Sequence, residues 1–171
     1  MNDAPEITLQ RLHLHTIRAN GMPKGQPRPR AFVRPGSGRA GVYDPGTAEG
    51  WKGAVAQACG ELEGAALYTP LAVTLTFYMP RPKGHYGAKG RLKPSSPVYM
   101  HDSKPDADNL AKAVLDSLTA IRAWLDDDQV CELIIRKYWE QPMTHAPGCV
   151  IRISELREVE AENVQPLPPR P

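Results

Sequence analysis

Eight residues, Leu71 to Tyr78 (LAVTLTFY), set β-branched and aromatic side chains in alternation. Such side chains fit a pleated surface better than a helix, so this run predicts a core strand around which the rest of the chain must be arranged. A looser alternation from Ile7 to Arg18, with Leu9, Leu12 and Leu14, predicts a first strand. Val130 to Tyr138 and Cys149 to Ile153 read as two closing strands, joined through a Pro142 to Gly148 turn region. The first of these carries Leu133, Ile134, Ile135, Tyr138 and Trp139, apolar enough for core or for a subunit interface, and core is the reading adopted. Two helices complete the set. Thr47 reads as the N-cap of one that carries Trp51, Val55, Ala58, Cys59 and Leu62 at helical spacing, ended by Gly64. The second runs from about Asp108 to Ile121, with Leu110, Val114, Leu118 and Ile121 as its apolar stripe. The expected architecture is α+β: a single domain with a small mixed β-sheet, about two main helices packed on it, and long basic loops. Its expected extent is residues 1–158; from Glu155 onward Glu and Pro dominate, so 159–171 reads as a flexible tail.

The loops carry the unusual composition. A net charge of +2, from 21 Lys and Arg against 19 Asp and Glu, argues on its face against a chain that holds polyanions by bulk charge. The average conceals zones of opposite sign. Arg18 to Arg39 contains Lys24, Arg28, Arg30, Arg34 and no acidic residue, and reads as a basic loop around a short Ala31 to Val33 strand. Met79 to Lys104 is a second basic, Pro- and Gly-rich loop, with Arg81, Lys83, Lys89, Arg91, Lys93 and Lys104 against Asp102 alone. Long irregular loops tend to be functional or mobile. No segment has the apolar length of a membrane span, and Met1 to Glu6 lacks a signal-peptide pattern, so the expected setting is cytoplasmic, with no membrane partner. Cys59, Cys131 and Cys149 fit neither a disulfide framework nor a zinc site and read as structural thiols. The five histidines show no zinc spacing; His101 alone lies near the acidic zone described next.

That zone runs from Asp106 to Asp128 and holds six aspartates against Lys112 and Arg122. If Asp106 to Asp108 is extended, both carboxylates face one point, where like charges repel unless a cation sits between them. Hard ions such as Mg²⁺ suit the arrangement, since they take oxygen ligands and use one or two carboxylates while leaving room for water and phosphate oxygen. Lys112, four residues past Asp108, shares its helical face and is placed to meet Asp108 or a substrate phosphate. A plainer reading stands beside this one: Asp106 or Asp108 caps the helix, Lys112 pairs with Asp108 and Asp116, and Asp126 to Asp128 is a solvated turn.

The run Lys104-Pro105-Asp106-x-Asp108-Asn109-Leu110-x-Lys112-x-x-x-Asp116-x-Leu118, followed by Trp124-x-Asp126-Asp127-x-Gln129-Val130, resembles the signature of RusA-type Holliday junction resolvases, including their phage-encoded relatives. Gly21-x-Pro23-Lys24, Arg28-Pro29-Arg30 and Tyr43-x-Pro45 resemble the N-terminal part of longer members, so the similarity spans roughly residues 20 to 140. The resemblance implies a homodimeric, Mg²⁺-dependent endonuclease, with Mn²⁺ as a substitute ion, that cuts four-way DNA junctions by paired nicks. It implies Asp106, Asp108 and Asp127 as metal-binding catalytic carboxylates and Lys112 as a catalytic base-type residue. Two symmetric nicks need two sites, which a two-fold dimer supplies. The expected phosphate contacts on four-way or other branched DNA are Lys24, Arg28, Arg30, Arg34, Arg39, Lys89, Arg91, Lys93 and Lys104, which position nucleic acid without reading bases.

Geometry adds a test. A helix from Asn109 to Ile121 carries the chain about 20 Å from Asp108, and the six residues from Arg122 to Asp127 span at most about 20 Å. Either the helix ends near Leu118 or Thr119, the reading adopted here, or Asp127 is supplied by a partner subunit. Two competing functions share some of the residues. A D-x-D nucleotidyltransferase sets a Gly-Ser turn before its aspartates, where this chain has Ser103-Lys104-Pro105. A non-catalytic branched-DNA-binding protein needs none of the four catalytic candidates.

Overall fold

A computed structural model describes residues 6–27, 30–33, 40–43, 46–141 and 143–161. Its elements are β1 (Ile7–Asn20), β2 (Arg30–Val33), β3 (Ala40–Tyr43), α1 (Glu49–Ala58), β4 (Leu71–Met79), α2 (Ala107–Ala120), β5 (Val130–Trp139) and β6 (Gly148–Glu160). Four strands form one mixed sheet in the order β1-β6-β4-β5; β4 runs parallel to β5 and antiparallel to β6, which is antiparallel to β1. The α+β arrangement, with a small mixed sheet and two helices, is the one expected.

β4 is an interior strand, which is why its sequence is so strongly marked. Val73, Leu75 and Phe77 stand opposite Ile153, Ile151 and Cys149 of β6, and all six are buried. Trp51 and Val55 of α1 and Leu110, Val114 and Leu118 of α2 close the same core. Strand alternation puts Thr74 and Thr76 on the opposite face, where both are only half-buried. Cys59 and Cys149 are buried free thiols whose ionisation is opposed by desolvation; Cys59 is pushed up to about 11. Cys131 is free and exposed.

Several local expectations are corrected. Thr47 is not the cap of α1; Ala48 occupies that position, with no side-chain cap bond. The α-helix ends at Ala58 and a 3₁₀ turn, Gly60–Leu62, carries the chain on to Gly64. β2 pairs with β3 as a separate two-stranded sheet, and four-residue strands are too short to show an alternation. β6 continues seven residues past Ile153 because β1 is long enough to pair with it, Ile7 standing opposite Glu160. The expected domain limit at 158 therefore falls inside a strand, while 162–171 lies outside the described residues.

α2 starts one residue before the expected point and runs to Ala120, past the expected end near Leu118 or Thr119. The chain then reverses sharply instead of stopping early. Arg122 takes a left-handed φ of 58°, and the Ala123 N–H donates to the Leu118 carbonyl at 3.0 Å. The indole N–H of fully buried Trp124 donates to Thr119 Oγ1 at 2.8 Å, fastening the returning chain to the helix it has just left.

Candidate active site

Asp106 is the N-cap residue of α2, with extended backbone (φ −68°, ψ 148°), yet its carboxylate makes no cap bond. Asp106 thus holds the cap position of the plainer reading without making the side-chain bond of a cap. Asp108 lies in the first helical turn, so the extended Asp106 to Asp108 segment expected from the sequence is replaced by a loop-to-helix junction. A carboxylate at that position is favoured by the helix dipole. Both side chains are exposed.

Lys112 follows one turn later on the same face, also exposed, and its Nζ lies 3.2 Å from Asp116 Oδ1. Among the described residues Lys112 makes no ion pair with Asp108. Its side chain is 60% exposed against 28% for Asp116, and exposed pairs of this kind contribute only about 0–1 kcal/mol. A phosphate therefore competes for this ammonium at little cost. Asp116 also faces Lys52 of α1, at 3.8 Å, and Lys52 in turn lies 3.7 Å from Glu49. The sequence reading missed Lys52, because no spacing rule relates it to Asp116; only the packing of α1 on α2 brings them together.

The three aspartates 126–128 have unequal roles. Asp126 is the cap of a 3₁₀ turn, Asp127–Gln129: its carboxylate accepts the Asp127 N–H at 2.7 Å, while Gln129 Oε1 accepts from the Leu125 and Asp126 N–H groups. Gln129 Nε2 also donates to the Leu67 carbonyl at 2.9 Å, tying the turn to the body. Asp127 is exposed, and its carboxyl is held above the usual carboxylate range. The largest cause is its hydrogen-bonding with Asp126, followed by desolvation and the charge of Asp126; Lys112 opposes the shift and Asp116 adds to it. Asp127 thus feels Lys112 and Asp116 of its own chain, in the middle of α2. The turn that carries Asp127 therefore packs beside α2 of the same chain.

The donors gathered here are carboxylate oxygens, with no thiol or imidazole among the candidates. Among the described residues no three Asp, Glu, His or Cys side chains converge into a ready-made metal cage. Carboxylate oxygens are the donors that a hard ion such as Mg²⁺ takes.

Beside Asp106 opens a cleft of about 500 Å³ whose wall includes Lys24, Thr47, Lys104, Asp106 and Asn109. Two of the expected phosphate contacts, eighty residues apart in sequence, therefore flank the first carboxylate. The segment carrying Lys24 is drawn onto α2 by a bond from the Gln26 N–H to the Asn109 carbonyl at 2.8 Å. Gly25 permits that approach: a Cβ there would stand 3.0 Å from Asn109 Cβ. Lys89 and Arg91 sit elsewhere, exposed at the tip of an excursion closed by a Tyr86–Leu92 bridge; Lys93 folds back to donate to the Gly84 carbonyl at 2.9 Å. None of the three lines the cleft. Arg30 begins β2, and Arg28, Arg34 and Arg39 lie outside the described residues.

The second basic loop is organised around a residue that faces inward. Arg81 is buried and donates to the carbonyls of Pro97, Val98 and Glu140 at 2.7 to 3.0 Å, with its guanidinium 5.8 Å from the centre of the Trp139 ring. His101 is buried against Trp139, ring centres 4.2 Å apart. Desolvation, and then the charge of Lys137, hold its pKa below the usual value. It packs within the loop and does not line the cleft.

The sequence pattern of the family described as "Endodeoxyribonuclease RusA" matches residues 20–154. The chain is also similar to "Uncharacterized protein YqaN" of Bacillus subtilis (strain 168), 29% identical over 123 residues, which span 71% of this chain and 84% of that protein.

Proposed function

The chain belongs to the RusA endodeoxyribonuclease family, and from that premise we propose that it resolves four-way DNA junctions by paired symmetric nicks, as a homodimer that depends on Mg²⁺. The observation that supports the reading is that Asp106, Asp108, Lys112 and Asp127 are all exposed, with Asp106 in a cleft whose wall also carries Lys24 and Lys104. Asp106, Asp108 and Asp127 would hold the divalent ion. When bound, such an ion supplies a water of lowered pKa and neutralises charge developing on the phosphodiester.

The chain's own groups do the rest. Lys24 and Lys104 bind backbone phosphates on either side of Asp106 and so fix the strand to be cut. Lys112 exchanges Asp116 for the scissile phosphate and stabilises its added negative charge in the transition state. Asp116 and Lys52 keep that ammonium at the right height on α2 until DNA arrives. Asp126 and Gln129 fix the backbone that carries Asp127.

The deciding experiment compares a synthetic four-way junction with linear duplex, with and without Mg²⁺, for the wild-type chain and Asp108→Asn. Junction-selective, Mg²⁺-dependent nicking that the substitution abolishes while junction binding survives is the expected result. Equal cutting of linear duplex, or full activity of the variant, overturns the proposal.

A further inference from the structure

Lys137 lies on β5 opposite Phe77 of β4, half-buried on the sheet face that carries the helices. Its ammonium donates to the Ser103 carbonyl at 2.6 Å and to the Pro105 carbonyl at 2.8 Å. Those two carbonyls bracket Lys104 and Pro105, the residues immediately before Asp106. The main chain of β5 holds the same segment further back: the His101 N–H donates to the Lys137 carbonyl at 3.3 Å, and the Trp139 N–H to the Tyr99 carbonyl at 2.8 Å. Past Pro105 no such strand pairing continues, and the Asp106 carboxylate has no cap bond to steady it. The side chain of Lys137 is therefore the last tie from the rigid sheet to the backbone that presents Asp106.

We propose that Lys137 is a positioning residue: by gathering the Ser103 and Pro105 carbonyls it holds Asp106 in register with Asp108 and so sets the affinity of the site for its divalent cation. This rests on the reading of Asp106 and Asp108 as ion ligands. Positioning has a consequence opposite in sign to simple charge. A nearby ammonium repels a cation, so if Lys137 acted only as a charge, neutralising it would tighten ion binding. If it acts by holding Asp106, neutralising it loosens ion binding. Outer-shell partners of metal ligands typically contribute about 10–100-fold to metal affinity.

The test is a titration of the full-length chain with Mn²⁺ in the absence of DNA, the free ion being followed by electron paramagnetic resonance. Lys137→Met keeps the aliphatic stem and removes the donors; it is expected to bind Mn²⁺ about 10–100-fold more weakly. Its melting temperature should stay near that of the wild type, because water can replace the ammonium at these near-surface carbonyls. Lys137→Arg, which retains donors for both carbonyls, should recover most of the affinity, and Lys137→Gln, able to serve one, should fall between. Asp106→Asn is measured alongside. If it weakens Mn²⁺ binding while Lys137→Met leaves binding unchanged or tighter, the positioning role is wrong. Loss of junction affinity by Lys137→Met with Mn²⁺ affinity intact makes Lys137 a DNA contact and equally overturns it. If Asp106→Asn itself leaves Mn²⁺ binding unchanged, the ligand assignment fails, and the proposal with it.

Discussion

The acidic segment that starts α2 and the one that follows it look alike in sequence and differ in what the fold does with them. At Asp106 and Asp108 the backbone makes no claim on the first carboxylate, and the second sits one helical turn from Lys112. At Asp126 to Asp128 the first carboxylate is used up as a turn cap. The second is left exposed, crowded by Asp126 and Asp116, and the third is exposed. A carboxylate that the backbone has already satisfied is a structural group; one left exposed beside other negative charge is poised for a cation.

Substitutions along the two segments test that distinction. The largest effect is expected at the unclaimed carboxylates: Asp106→Asn or Asp108→Asn should lower the junction-cutting rate by about 10²–10³-fold or more with binding retained, measured in single-turnover assays. Asp127→Asn should lose cutting to a similar extent and yet gain a little stability at neutral pH. The sign follows from linkage. Its carboxyl is raised in the folded chain, so the native state holds the proton more tightly than the unfolded one, and stability is lost as pH rises through the folded value in the acid range. Melting temperatures of wild type and variant should therefore diverge as pH is raised from about 4 to 7. If both fall together, Asp127 is not under the strain assigned to it.

Asp126→Ala belongs to the other class. It should cost about 1 kcal/mol of stability through the lost cap, seen by denaturant unfolding, with cutting reduced only as far as the turn moves Asp127. Asp128→Asn should change neither quantity measurably. Smaller still and different in kind are the cleft lysines: Lys24→Ala or Lys104→Ala should weaken junction binding and lower the slope of log affinity against log salt by about 1 each. Lys89→Ala, away from the cleft, should leave cutting at saturating enzyme unchanged.

Much of this was legible in advance. The strand at Leu71 to Tyr78, the apolar stripe of α2 and the identity of the acidic and basic residues follow from side-chain type and spacing. The end of α2 lies beyond the expected one, because Thr119 and Ile121 are weak helix formers in isolation, whereas buried Trp124 and its bond to Thr119 hold the last turn in place. Arg81 and Lys104 looked equivalent in a basic loop, but one is buried among carbonyls and the other lines the cleft. Charge alone does not tell whether a cation faces solvent or backbone oxygen.

The sequence by itself determined which chemistry was present: hard oxygen donors and lysines in a chain with enough alternating apolar residues to bury a sheet. Those are local properties, written in residue type and in periods of two and 3.6. Only the tertiary structure decided which of six aspartates were consumed as caps, that Lys24 and Lys104 share a cleft with Asp106, that Lys52 supports Lys112 through Asp116, and that Lys137 reaches the loop before Asp106. Each of these depends on elements distant in sequence meeting across the core, and no spacing rule along one strand or helix carries that information.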